Sequence, residues 1–373
     1  MTIVHMPDAK NKEDAKYRIF RDNVLMKILP GIFLLGFLLA GCSFYYVAKQ
    51  GVYQLKLLAN AEPIEKALRS PEIAKNVRHK LMLISEVRDY CRDKLHLKVN
   101  SNYKDVNLSW NHILYNVSAS EPLAFKPYIW WFPIIGNVPY KGFFDEKDAD
   151  AQVLKLESEG FETLKRRVGG YSTLGYFSDP VWPTMLEMSD ESLTELIIHE
   201  LTHATYYIPY ETPFNETLAN FVGKTGAHRF FVDKFGENSE EVKNLDRSSQ
   251  DEKSENDFFF SLYQELDNLY NSARSDQEKL SLKAQILGNA KKHFLQLPIN
   301  PHFKNIEWSR VNNAFLLAFK TYNQDESVFV DLLKHVHGDF EAFFTELGSI
   351  SQGQDPFLAL RQYLKEKSHS NSG

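Results

Sequence analysis

TELIIHELTHATYYIPYETPFNETLANFVGKTG, residues 194 to 226, is the stretch on which the rest of the chain turns. At its centre stands His199-Glu200-Leu201-Thr202-His203, an HExxH pattern. Residues four apart lie on one face of an α-helix, about 6 Å from each other. Two imidazoles so placed can grip one Zn²⁺, with Glu200 one step round to take a proton from a water on it. Leu193, Leu196, Ile197, Ile198, Leu201 and Ala204 wrap most of the circumference, which predicts a buried helix. Ser189 or Asp190 suits its N-cap, Asp190 and Glu191 complement the dipole, and Pro209 stops it near Tyr207. Two histidines and a glutamate inside so apolar a helix need partners, because an unpaired buried polar group is costly.

The partner segment follows. Thr212-Pro213 reads as a cap and first helical residue, and Asn215-Glu216 falls in the first turn. Twelve residues separate His203 from Glu216, enough for a turn and an antiparallel return. Glu216 is then the expected third ligand, with Glu211 as its rival, and a fourth position stays open for water. Asn220, one turn beyond Glu216, is placed to hold a ligand by a hydrogen bond. The plain alternative is a helix whose two histidines are satisfied by neighbours. It loses ground once the Asn-Glu segment is added.

Composition narrows the class. The chain has 373 residues, net charge −6 and 43% hydrophobic residues, as globular proteins do. No basic stripe appears, so nucleic acid is not an expected partner. Two cysteines, Cys42 and Cys91, are too few for a disulfide framework. Cys91 belongs to the stripe Ile73, Val77, Leu81, Ile84, Val87, Cys91, Leu95 and reads as a small buried hydrophobe.

The N-terminus carries a targeting pattern. Met26-Lys27 is followed by the apolar run ILPGIFLLGFLLAG, which looks like a complete secretion signal whose own start is Met26. Residues 1–41 are therefore the expected signal peptide. Leu39-Ala40-Gly41-Cys42 has the form of a bacterial lipobox, with Cys42 the acylated anchor. A transmembrane signal anchor is the other reading, since 21 residues separate Lys27 from Lys49. Both readings put the remaining chain outside the inner membrane. Ser43 after the cysteine resembles the pattern sorted to the outer membrane.

The fold expected is mainly α, of the α+β kind. Residues 42–125 are read as a mostly helical N-terminal region, 126–236 as the core bearing the metal helices, 237–367 as a helical C-terminal region and 368–373 as a tail. WWFPIIGNVPYKGFF, residues 130–144, reads as strands and turns, and Asp145–Gly160 as a helix. Gly169 to Pro180 is a Gly- and aromatic-rich segment suited to the lip of a substrate cleft. Gly236–Asp257 is a solvated helix or an insertion, Phe258–Leu297 is helical, and Trp308–Tyr322 is a further helix containing Asn312-Asn313-Ala314. His335 and His337 are read as surface residues.

Leu39-Ala40-Gly41-Cys42, YYVAKQGVYQLKLL, WWFPIIGNVPYKGFF, YSTLGYFSDP, IIHELTH and FNETLANFVG occur in that order. Together they resemble the bacterial putative aminopeptidase family, zinc peptidase lipoproteins of the gluzincin type. The resemblance runs from about Cys42 to Tyr363. It implies a gluzincin-like core, with His199, His203 and Glu216 as ligands of one zinc ion and Glu200 as the catalytic carboxylate. It also implies that Asn312-Asn313-Ala314 faces the catalytic region, against which helix packing is the competing expectation.

The activity expected is hydrolysis of a peptide by an envelope lipoprotein that faces the periplasm. Tyr171, Tyr176, Tyr206 and His228 are the candidates to stabilise the oxyanion or touch substrate. An aminopeptidase also needs a carboxylate for the free amine, with Glu187, Asp190 and Glu211 on offer. An endopeptidase is the runner-up. A lipoprotein whose metal site is structural or empty is the non-enzymatic alternative.

Overall fold

The computed structural model describes residues 41–110, 112–132, 136–168, 179–322, 325–350 and 355–370. The chain divides into two units, Met1–Leu55 and Lys56–Gly373. Of the first, the described part begins helix α1, Gly41–Ala59, which runs into the second. Cys42 lies on this helix, but its side chain and the apolar run before it are outside the described residues. No helix among the described residues is long and apolar enough to cross a membrane.

In the second unit a two-residue strand β1, Glu62–Pro63, leads to the short helix α2, Ile64–Ala67, and then to α3, Lys75–Asp93. Helix α3 buries Leu81, Ile84, Val87 and Cys91, the stripe expected from their spacing. Strand β2, Asp105–Val106, pairs with β1. A three-stranded antiparallel sheet follows. Strand β3, Leu114–Ser120, lies at its centre between β6, Tyr140–Phe143, and β7, Glu162–Val168. Strands β4, Trp130–Phe132, and β5, Gly136–Val138, form a separate antiparallel ribbon. Helix α4, Glu146–Ser158, packs on the three-stranded sheet, capped by Asp145, whose side chain accepts the Lys147 N–H.

The remainder is helical. Helix α5, Pro183–Leu186, precedes α6, Asp190–Thr205, and α7, Thr212–Phe235. Then come α8, Glu240–Tyr270, and α9, Asp276–Phe294. A 3-10 turn, Trp308–Arg310, leads to α10, Asn313–Tyr322. Helices α11, Ser327–His335, α12, Phe340–Gly348, and α13, Pro356–Ser370, complete the chain. The fold is thus mainly α with small sheets. The polar stretch Gly236–Asp257 enters a helix rather than an irregular insertion, because Ser239 caps it through the Val242 N–H and Val242 and Leu245 anchor one side.

Among the described residues, two clusters hold these helices. One gathers Phe259, Leu262, Leu266 and Leu269 of α8 with Phe294 of α9 and Leu316 of α10. The other lines α7: Phe214 meets the ring of Phe329 at 5.2 Å, and Phe221 meets Phe329 and Phe343 at 5.9 Å. Helix α10 joins them, packing on β3 and β7 and also on α7 and α8. It therefore ties the sheet to the helix that carries Glu216.

Candidate metal centre

Helix α6 is fixed at both ends. The Ser189 hydroxyl accepts the Ser192 N–H at 3.1 Å, and Asp190 in the first turn pairs with His79 and Lys80 of α3. Near the C-terminus the Lys98 N–H bonds to the Thr205 hydroxyl at 2.9 Å. Leu193, Ile197, Ile198 and Leu201 are fully buried between these clamps. The helix stops at Thr205, with Tyr206 already extended ahead of Pro209.

Helix α7 begins one residue earlier than its sequence suggests. Glu211 occupies the N-cap without a side-chain bond, Thr212 is the first helical residue and Pro213 the second. Proline fits anywhere in the first turn, where backbone N–H groups have no partner within the helix. The local lock is instead Asn215, buried at 1% exposure. Its carboxamide accepts the Ile208 N–H at 2.9 Å and donates to the Ile208 carbonyl at 2.7 Å. This pair of bonds folds the chain back so that α7 runs antiparallel along α6. Gly223 and Gly226 then permit close approach. A Cβ at Gly223 would lie 3.1 Å from the Glu195 carbonyl oxygen, and one at Gly226 only 2.8 Å from Leu95 Cδ1.

The return brings the three expected ligands together. The Nε2 atoms of His199 and His203 are 3.1 Å apart. Glu216 places Oε2 at 3.5 Å from the first and Oε1 at 3.7 Å from the second. Tetrahedral zinc with ordinary bond lengths separates its ligand atoms by about 3.3 to 3.4 Å. The cluster brackets that value, and one donor atom from each residue falls within 4.8 Å of the others. Two imidazoles and a carboxylate are also a donor set suited to zinc. The residues present fit one such ion.

The electrostatics suit a cation. Burial opposes the charge on Glu216, but the hydrogen bond from His199 and the charges of His203, His199 and Arg166 hold its carboxyl below the usual range. Burial likewise works against protonation of His199. The bond to Glu216, the charges of Glu200 and Glu216 and a hydrogen bond with Asn220 overcome it and raise that imidazole. His203 is pushed down to about 4, first by burial and then by His199. The neutral imidazole needed of a ligand is therefore its ordinary form near neutrality.

Glu200 is on the same helix turn, 9% exposed. Asn220 bonds to His199 as its place on α7 suggests. Tyr206 donates its hydroxyl to the Leu347 carbonyl at 3.0 Å. His228 lies twelve residues past Glu216, about 18 Å along the helix, and pairs with Asp246 at 3.2 Å. Tyr171 and Tyr176 fall outside the described residues. The Asn-Asn-Ala segment serves packing: Asn313 is fully buried, accepts the Tyr270 hydroxyl at 2.7 Å and donates to the Glu121 carbonyl at 2.9 Å.

Several site residues carry no motif. Asn215 had a faint one, an amide one position before the ligand at a helix start. Gly223 and Gly226, three apart, mark a close helix contact. Arg166, whose charge acts on Glu216 from β7, and Tyr103 could not be read locally. Tyr103 is fully buried with φ 57°, and burial, then Glu200, then Asp179 raise its hydroxyl well above the usual phenol range.

The profile of the family described as "Putative aminopeptidase" matches residues 45–356. The chain belongs to that family. No curated protein and no solved structure matches it.

Proposed function

We propose that this protein is a zinc-dependent aminopeptidase, held on the periplasmic side of a bacterial envelope by an acylated Cys42, with the outer membrane as its site. The convergence of His199, His203 and Glu216 from two consecutive helices carries the reading. These three residues would hold one zinc ion. When bound, zinc supplies Lewis acidity, polarising a peptide carbonyl and making water acidic near neutral pH. The chain's own groups do the remaining work. Asn220 holds the His199 ring in orientation by their hydrogen bond. Glu200, on the same turn of α6, accepts the proton of the attacking water and delivers it to the departing amine. Glu200 is itself buried, which limits competing water around that carboxylate. Family membership supports a peptide as the substrate.

The test compares the form beginning at Ser43 with its Glu200→Gln variant. Bound zinc is measured by elemental analysis, and cleavage is followed on a mixed peptide library by mass spectrometry. The expected result is one zinc in each protein, cleavage by the parent alone, and loss of single residues from peptide N-termini. Zinc in both with no cleavage by either would make the metal structural. Internal cuts would make the enzyme an endopeptidase. The anchor has its own check: the full chain should partition with membranes and carry acyl mass on Cys42, and Cys42→Ala should release it.

A further inference from the structure

A cleft of about 660 Å³ is bounded by β7 on one side and the segment from Ile306 to Phe315 on the other. None of the three metal ligands lines it. Its charge is unlike that of the chain as a whole. Lys165, Arg166, Arg167 and Arg310 line it with Glu146 and Glu307, and Asp150 reaches Lys165 from beside it, which leaves a local excess of one positive charge in a protein of net charge −6. Lys165 is engaged by Asp150 at 2.5 Å and by Glu146 at 2.9 Å, and Arg310 by Glu307 at 2.7 Å. Arg167 is exposed. Leu164 and Phe315 give the cleft an apolar side. Phe315 sits on α10, which packs against both β7 and α7, and α7 carries Glu216. Helix α10 thus touches both a strand that lines the cleft and the helix that carries Glu216. Arg166 is common to both, since it lines the cleft and its charge reaches Glu216.

We infer that this cleft is a specificity subsite for acidic residues of the peptide, taking an Asp or Glu side chain against Arg167 and Arg310 while the adjoining chain runs to His199 and His203. This rests on the peptidase reading and adds a substrate class to it. Guanidinium groups match a carboxylate with two parallel hydrogen bonds, which a neutral amide of the same shape does not match. The acidic remainder of the surface repels such peptides, so the cleft is where their charge is compensated. A lysine-bearing peptide meets like charge there instead.

The test measures binding directly, apart from turnover. The full chain carrying Glu200→Gln is purified in detergent and loaded with zinc. Fluorescein-labelled peptides of one length are titrated, identical except for Asp and Glu, or Asn and Gln, or Lys at the same positions. The acidic peptide should bind roughly tenfold more tightly than the amide peptide and lose that advantage as salt is raised. Arg167→Gln, and separately Arg310→Gln, should shrink the gap severalfold, with unchanged melting temperature showing that each variant is folded. Equal affinity for the acidic and amide peptides overturns the subsite. So does an acidic preference untouched when both arginines are replaced together. Displacement of the acidic peptide by sodium phosphate as readily as by unlabelled peptide overturns it too, because the cleft would then take any anion. If the parent cleaves no peptide yet the acidic preference follows both arginines, the subsite stands and the hydrolase reading is what fails.

Discussion

The carboxamide of Asn215 satisfies both backbone groups of Ile208, at 2.9 Å and 2.7 Å, and so closes the turn between the two metal-bearing helices. Both groups lie where α6 has ended and no helical partner exists for them. Replacing Asn215 with Leu keeps the volume but leaves the Ile208 N–H unpaired and its carbonyl with only the longer bond from the Glu211 N–H at 3.3 Å. The expected cost is about 1–3 kcal/mol. Because Glu216 is the next residue, zinc affinity should fall with stability, and Asn215→Asp, which keeps the acceptor only, should lie between the two. Urea unfolding and zinc titration on the three proteins test this. Normal zinc affinity in Asn215→Leu would show that the turn does not position the ligand.

Gly223 and Gly226 separate two effects of helix approach. An added Cβ at Gly226 meets the ends of Leu95 and Ile198, at 2.8 Å and 3.1 Å, in a packed region. Gly226→Ala should therefore cost about 1–3 kcal/mol through overpacking. At Gly223 the nearest atom is the Glu195 backbone carbonyl, with His199 Cβ at 3.4 Å. A backbone cannot rotate away, and alanine itself favours the helix by about 1 kcal/mol. Gly223→Ala should thus change stability little while pushing α7 away from His199, weakening zinc roughly tenfold. Calorimetry paired with a competitive zinc chelator reads both quantities. The prediction is lost if Gly226→Ala proves the worse zinc binder and Gly223→Ala the less stable protein.

Much of this centre was legible because it is local. Thirty-three residues carry the histidine pair, the return, the third ligand and the close-packing glycines. Periodicity also placed the stripe of α3, because one face of that helix must be buried, and aromatic and β-branched content broken by Pro and Gly placed the strands after Trp130. Contacts across long separations left no such trace. Arg166 and Glu216 are fifty residues apart, and neither residue type nor spacing announces that the charge of one acts on the other. The Asn312-Asn313-Ala314 segment shows the same limit. Two adjacent amides suggest polar recognition, yet Asn313 is consumed by Tyr270, Glu121 and Glu162, residues widely scattered in sequence.

Lys283 belongs to that same polar knot and should be costly to remove. It is 4% exposed, donating to Glu162 at 2.6 Å and to the Pro122 carbonyl at 2.7 Å. Glu162 in turn accepts the Asn313 N–H at 2.8 Å, so one carboxylate links α9, β7 and α10. Burial lowers the lysine's pKa against the opposing pull of Glu162. Lys283→Met leaves Glu162 and a carbonyl without their cation, at an expected cost of about 3–5 kcal/mol. Adding Glu162→Gln should restore part of that loss, since the uncompensated charge goes with it. A double-mutant cycle by urea unfolding measures the coupling. Strict additivity would mean the two residues do not act as a pair.

Glu195 makes the protein's stability depend on pH. It stands one turn before His199 on α6, and its carboxyl is raised to about 7, first by burial and then by Glu252, with Glu191 and Glu326 adding to the effect and Lys224 opposing it. Lys224 is already shared between Glu252 at 2.7 Å and Glu326 at 3.2 Å. An ordinary glutamate titrates near 4.5, so the folded chain holds this proton more tightly than the unfolded chain. The stabilising contribution is therefore complete below pH 4.5 and is lost as pH rises through 7. Glu195→Gln removes the dependence. Allowing for the partial exposure of the side chain, the variant should exceed the parent by about 2 kcal/mol at pH 8 and match it near pH 4. Both proteins are unfolded in urea with chelator present, so that metal binding does not contribute. Glu255 and Glu326 are raised as well and remain in both, so the quantity that decides is the difference between the two pH curves. Parallel curves from pH 5 to pH 8 would place the Glu195 proton in solvent rather than in this pocket.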